Sequence, residues 1–384
     1  MRLRLLLAAL AAALLFWFAQ ASFVIPLGSD VPEFLVSNYA VREESPDHPR
    51  LAALRRAEKL DQVVAPGKTQ FEKTVLLRGW ARRQWEHHSG SFAYPPWDAA
   101  EILRLARGGN RGFCAQYAVV FLQAAVSLGL HARYIDLPGH FLTAVWSDAH
   151  YKWVAMDPYL DLHYERRGSP LSGMEMHLAS LRGEPGGIEA VSSDGGRRPL
   201  KTGDLSAWSS YSIILRNNHL SEPVKAEVNG AAARPLAVAG GRASYPVAGR
   251  DRLGIADIFL SYGNGEEPPV PGRPFTADRD DFRRDMNSTV LVWAESRKDP
   301  GTVKLLLKAE NSPGFSSFLV KSEGTDWEPS PEKLAVRLSP GFNAISARVA
   351  TRHGWTGRPS SVRLFYKPAW LLAPRRRTGL PGSV

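Results

Sequence analysis

The chain has 384 residues, 44% of them apolar, and a formal net charge of +10, which is enough length and core-forming material for two or three domains. Its single cysteine rules out a disulfide framework, so stability rests on buried apolar surface. The basic surplus lies in short clusters (Arg82-Arg83, Arg197-Arg198, Arg375 to Arg377) without interleaved aromatics, which argues against nucleic acid and suits an anionic cell-wall polymer or membrane surface.

In chain order, Arg2 and Arg4 precede an apolar run from Leu5 to Phe18 and then Ala19-Gln20-Ala21, the small-x-small pattern of a secretory signal cut after Ala21. The stretch from Leu5 to Ile25 is also long enough to cross a hydrocarbon core of ~30 Å as an uncleaved anchor. The short apolar core and the cleavage pattern favour removal, which takes two arginines from the charge. Both readings place the functional part outside the cytoplasm, periplasmic or secreted. Residues 22–62 read as an extension punctuated by Pro26, Pro32 and Pro46 and ending in a helix from Pro49 to Val63. A second helix is predicted from Thr69 to His88. The adjacent His87-His88 would point about 100° apart on that helix, and His131, His150, His163 and His177 also lack ligand spacing, so neither a metal nor another cofactor is expected.

Gly108 to Gly129 holds the only cysteine, Cys114, at the start of a predicted helix. From Ala115 to Leu128 the polar side chains are only Gln116, Gln123 and Ser127, all on one stripe, so the helix is expected to be mostly buried. Gly108, Gly109 and Gly112 allow a sharp turn into it, and Gly129 suits the left-handed position that ends helices. Unpaired N–H groups and the positive end of the helix dipole favour an anionic sulfur at the first turn, the condition for a nucleophile. A lone cysteine is otherwise a small buried apolar residue, and the segments downstream decide between the two readings.

Ala132 to Leu137 reads as a short strand broken by Pro138-Gly139. Phe141 to Trp146 and Tyr151 to Met156 read as a hairpin about Ser147-Asp148-Ala149-His150. With Trp146 opposite Tyr151, symmetric pairing sets His140 opposite Asp157, an imidazole beside a carboxylate able to hold one ring nitrogen. A helix-opening cysteine with an oriented histidine is the arrangement of thiol acyl-transfer enzymes.

These residues carry a resemblance. Phe113 to Ala118 (FCAQYA), then GLHARYIDL, GHFLTAVW and KWVAMDPY, resemble the transglutaminase-like superfamily over about residues 70 to 180. The resemblance implies an α+β, papain-like core, a helical part on an antiparallel sheet. It also implies attack of a thiolate on an amide to give a thioester, which passes to an amine in cross-linking members or to water in proteases and amidases. It assigns Cys114 as nucleophile, His140 as general base and acid, and Asp157 as the orienting carboxylate, with a protein or peptide as substrate. Trp85, followed by Pro95-Pro96-Trp97 and a short helix from Asp98 to Arg107, is similar to the segment that supplies an oxyanion donor in the cross-linking enzymes; the other reading is that Trp80 and Trp85 pack a helix. Cys114-Ala-Gln-Tyr-Ala departs from the animal enzymes' Cys-Trp-Val-Phe-Ala, and no calcium site resembles theirs, so calcium-dependent cross-linking does not follow. A catalytically inactive binding or scaffold module on the same fold is the alternative.

The resulting domain plan is a signal peptide or anchor at 1–21, an extension and helix at 22–62, a catalytic domain at 63–180, and a Gly-, Arg-, Pro- and Ser-rich linker at 181–204. A small β region at 205–272, an immunoglobulin-like β-sandwich at 273–368 and a basic tail at 369–384 complete it. Asp278 to Asp281 lacks the spaced oxygens of a calcium loop and reads as a solvated connector. Asn287-Ser288-Thr289 matches a glycosylation acceptor at the start of a predicted strand.

Overall fold

The computed structural model describes residues 10, 13–14, 16–32, 37–86, 97–109, 112–222, 227–228, 231–232 and 259–369. They fall into two units: a larger one of Phe34–Met286 with Arg352–Trp355, and a smaller one of Met1–Glu33, Asn287–Thr351 and Thr356–Val384. His87-His88, Pro95-Pro96, most of the basic tail and much of the 1–21 segment lie outside the described residues.

The chain begins with β1 (Phe23–Asp30), followed by helices α1 (Pro49–Ala57), α2 (Leu60–Val64), α3 (Gln70–Arg82), α4 (Ala99–Arg107) and α5 (Cys114–Ser127). The helix predicted from Pro49 to Val63 is broken where Lys59 takes a φ of 50°. Thr69 caps α3 by accepting from the Glu72 N–H, and Asp98 caps α4 by accepting from Ala100. Next come β2 (Ala132–Leu137), β3 (His140–Ser147), β4 (Lys152–Asp157), β5 (Leu162–Arg166), β6 (Ser169–Pro170), α6 (Gly173–Arg182), β7 (Ile188–Ser192) and β8 (Arg197–Pro199). A 3-10 helix at Thr202–Trp208 leads to β9 (Ser212–Ile214), the small pair β10 (Glu227–Val228) and β11 (Ala231–Ala232), β12 (Phe259–Tyr262) and β13 (Phe275–Thr276).

Among the described residues of the larger unit, one sheet runs β13-β12-β9-β2-β3-β4-β5-β7-β8, with β6 paired to β5. Both faces of its centre are covered. Phe141, Val145, Val154 and Met156 pack with α5, whereas Ala144, Trp146, Trp153 and Ala155 pack with Met176 and Ala179 of α6 and with Trp208. That double burial is why β3 reads as a continuous apolar run instead of an alternating one. α5 is buried from Ala115 to Ser127, its polar stripe included. Those polar groups are spent internally: Gln123 accepts from the Ala99 N–H and donates to the Trp97 carbonyl, pinning the start of α4 to α5.

Two stretches of the domain plan fold differently. Residues 181–204, expected as a linker, end α6 and form β7 and β8 on the central sheet, because Ile188, Ala190 and Val191 supply apolar faces buried in its second core. Asp194-Gly195-Gly196 is the turn between these strands. In the described part of the 205–272 region, β9 pairs with β2 and β12 with β9, extending the same sheet, and only the two-residue strands β10 and β11 form a pair of their own. The Asp278 to Asp281 connector is also folded down, with Ser37 donating to the buried Asp281 carboxylate at 2.8 Å.

In the smaller unit β14 (Ser288–Glu295), β15 (Thr302–Glu310), β16 (Phe315–Ser322), β17 (Glu328–Ser330), β18 (Lys333–Arg337), β19 (Gly341–Thr351) and β20 (Ser360–Lys367) make two sheets, β14-β15-β18 and β1-β20-β19-β16-β17. Leu291, Val303, Leu305 and Leu307 from the first meet Phe318, Ile345, Val349 and Leu364 from the second in one core, a β-sandwich. Its edge strand β1 comes from the part of the chain expected as an irregular extension. Asn287 is 0% exposed, which leaves no room for a sugar.

Candidate active site

Cys114 is the first residue of α5 and half-buried. The helix fixes its own start, since the Phe113 N–H donates to Gln116 Oε1 at 2.8 Å. A Cβ on Gly112 would come within 2.5 Å of Gln116 Cβ, so glycine is required for that glutamine to fold back. As the first helical residue, Cys114 also has a backbone N–H without an intrahelical acceptor.

His140 opens β3 after the Pro138-Gly139 turn, where Gly139 has a φ of 69°. Its Nε2–H donates to Asp157 Oδ2 at 2.5 Å. Asp157 is 0% exposed, and its Oδ1 accepts from the N–H groups of Tyr159 at 3.0 Å and Leu160 at 2.9 Å, so the carboxylate is held on both sides. Burial disfavours a charged His140 ring. The charge and hydrogen bond of Asp157, joined by the hydrogen bond and charge of Cys114, outweigh it and push the pKa up to about 10. With Nε2 committed to Asp157, Nδ1 is the nitrogen left for the sulfur. Tyr159 forms a wall beside them, its ring 5.8 Å from His140 and its hydroxyl pKa raised by burial and by the charges of Cys114 and Asp157.

The register that brings this about is not the symmetric one. Trp146 faces Trp153 and Ser147 faces Lys152, because Tyr151 belongs to the turn, with a φ of 52° and its N–H donating to Ser147 O at 2.8 Å. A two-residue shift leaves every side chain on its expected side of the strand. His140 and Asp157 therefore become diagonal neighbours, still within reach.

Trp85 does not offer a donor to an oxyanion. Its indole N–H donates to Gly112 O at 3.1 Å, its ring lies 4.2 Å from Tyr117, and the Tyr117 hydroxyl donates to the Trp85 carbonyl at 2.8 Å. Trp85 braces the turn that carries Cys114. Trp85→Phe is accordingly expected to lower kcat by less than tenfold, where loss of an oxyanion donor costs roughly 10²–10³. Steady-state kinetics on a Cys114-dependent reaction would measure it, and a hundredfold loss would reinstate the oxyanion role.

Behind Asp157 lies a group that the sequence reading passed over. Arg78 of α3 is 0% exposed; it donates to Asp161 at 2.9 Å, to His163 Nδ1 at 2.8 Å and to the Val191 carbonyl at 3.3 Å. Asp161 in turn accepts from Ser193. The 157–163 segment is thereby tied to α3 and to the end of β7. His163 differs from His140 in sign: burial and the Arg78 charge push it down to about 4, so its neutral ring accepts from Arg78 and donates to Glu165 at 2.9 Å. The available signal was an arginine on the face that α3 buries, alongside Thr74, Leu77 and Ala81. Among the described residues no three His, Cys, Asp or Glu side chains group as a metal site.

A mixed α+β core with a cysteine opening a buried helix beside a histidine on an antiparallel sheet defines a papain-like thiol fold. Residues 57–158 match the family model of the transglutaminase-like superfamily, so this part of the chain is similar to that superfamily. Among solved structures it is similar to a Parabacteroides distasonis protein described as a "putative protease", at 12% identity, over 91% of this chain and 62% of that one, with a TM-score of 0.20. The chain thus spans less than two thirds of that protein's length, and the similarity carries no argument about activity. No curated protein matches the sequence.

Proposed function

We propose that this is an exported thiol acyl-transfer enzyme acting on amide bonds of proteins or peptides through Cys114, His140 and Asp157. The observation that carries the reading is the 2.5 Å hydrogen bond from His140 to Asp157, with Cys114 among the groups that raise the pKa of the same ring. The Cys114 sulfur adds to the amide carbon, and the Cys114 backbone N–H faces the developing oxyanion. His140 passes a proton from Nδ1 to the departing amine as the carbon–nitrogen bond breaks, leaving a thioester. Water or a second amine then gives its proton to His140 and displaces the sulfur, which yields hydrolysis or cross-linking. Asp157 keeps the imidazole oriented throughout. The N-terminal segment directs export, and the basic surplus suits an anionic cell-wall or membrane surface nearby.

Iodoacetamide should label Cys114 rapidly in the wild type and at least tenfold more slowly in His140→Ala. A peptide amide supplied with an amine acceptor should turn over in the wild type and not in Cys114→Ala. Equal slow labelling in both proteins, with no Cys114-dependent turnover, would leave a binding or scaffold module.

A further inference from the structure

The smaller unit carries an apolar row on one outer face. Phe23 faces Lys367 and Ile25 faces Phe365 across β1 and β20, and Phe365 faces Phe342 across β20 and β19. The alternate residues Val24, Leu364 and Tyr366 belong to the sandwich core, so the row points outward. Phe342 is 73% exposed and Ile25 43%. Residues 16–20 are helical and continue the row, with the Phe18 ring 5.5 Å from Phe23 and Trp17 69% exposed. Lys367 fastens the two parts together. Its Nζ donates to the carbonyls of Ala19 at 3.3 Å and Ala21 at 2.8 Å and lies 5.0 Å from the Phe18 ring centre, capping carbonyls that a helix end leaves without partners.

We propose that this face lies against a lipid bilayer and that the N-terminal apolar segment stays attached as its anchor. The apolar run Leu5 to Ala21, in which Gln20 is the one polar side chain, is at the short end of what can cross a hydrocarbon core as a helix, and the row begins where that run ends. Aromatic side chains at the exit (Trp17, Phe18, Phe342) beside Arg363 and Lys367, which share an outward face with Phe365, have the composition of a membrane–water boundary and favour anionic headgroups. An outward apolar row of this kind is otherwise a liability in water. The Ala19-Gln20-Ala21 cleavage pattern is meanwhile bound into the unit by Lys367, a structural role that processing would discard.

The full chain, exported from a bacterial host, is expected to retain its N-terminal residues by intact mass and to stay with membranes through an alkaline carbonate wash. In a Cys114→Ala background, Phe342→Cys carrying an environment-sensitive fluorophore should emit to the blue of Glu323→Cys in phosphatidylglycerol–phosphatidylcholine nanodiscs; both positions are exposed, so the label leaves the core untouched. A mature chain beginning at Ser22 in the soluble fraction overturns the anchor, and equal emission at the two positions overturns the contact face. Neither readout depends on the thiol chemistry.

Discussion

Asp157→Asn is expected to cut turnover on the order of 100-fold at pH 9 while changing it little at pH 6. In the wild type the charge and hydrogen bond of Asp157, with the contribution of Cys114, hold the His140 pKa at about 10 against the opposing effect of burial. The ring therefore stays protonated, and able to protonate a leaving amine, across neutral and mildly alkaline pH. Asparagine keeps the backbone hydrogen bonds at Oδ1 but removes the charge, and the ring returns towards its ordinary value of about 6.5. The alkaline limb of the pH–rate profile should move down with it. Stability carries the same sign. A histidine raised on folding stabilises fully below its unfolded value near 6.5, and that contribution is lost as pH rises through about 10. Thermal unfolding of the wild type should weaken over that window, and the variant should lack this component. An unchanged alkaline limb in Asp157→Asn would show that His140 does not supply the proton.

Arg78→Met is expected to be the most damaging substitution away from the reacting groups. It leaves Asp161 without its buried ion-pair partner and takes a donor from His163 and from the Val191 carbonyl. Breaking a buried pair by removing one member typically costs about 3–5 kcal/mol. For a unit of this size that lowers Tm on the order of 10 °C. Calorimetry on the full chain would assign the loss to the transition of the larger unit, since the β-sandwich has a separate core. Arg78→Lys should recover little, because an ammonium cannot present the planar fork that reaches Asp161 and His163 together. A fall in Tm of less than about 2 °C for Arg78→Met would mean that the network can be dispensed with.

Much of this molecule can be read locally. The cysteine before an apolar helical period, the Pro-Gly turn ahead of His140 and the hairpin leading to Asp157 all appear where their spacing puts them, and α5 and β2 to β4 follow from it. The β-sandwich expected in the C-terminal part is present, built from β14 to β20 with β1. Local pattern falters where glycine is ambiguous. Gly186-Gly187 and Gly195-Gly196 read as linker residues, yet they are turns around β7, a largely buried strand that pairs β5 on one side and the exposed edge strand β8 on the other, because composition does not report whether a short apolar strand finds a partner.

What the sequence settled is periodicity and parity: which residues open a helix, which alternate on a strand, and therefore that His140 and Asp157 share a side. Tertiary structure decided the partners. It chose a register displaced by two residues, gave the Trp85 indole to Gly112, carried β1 across the chain to β20 and buried Arg78 behind Asp157. Each of these pairings joins groups distant in the chain and depends on backbone groups and on space that exist only once the other elements have packed.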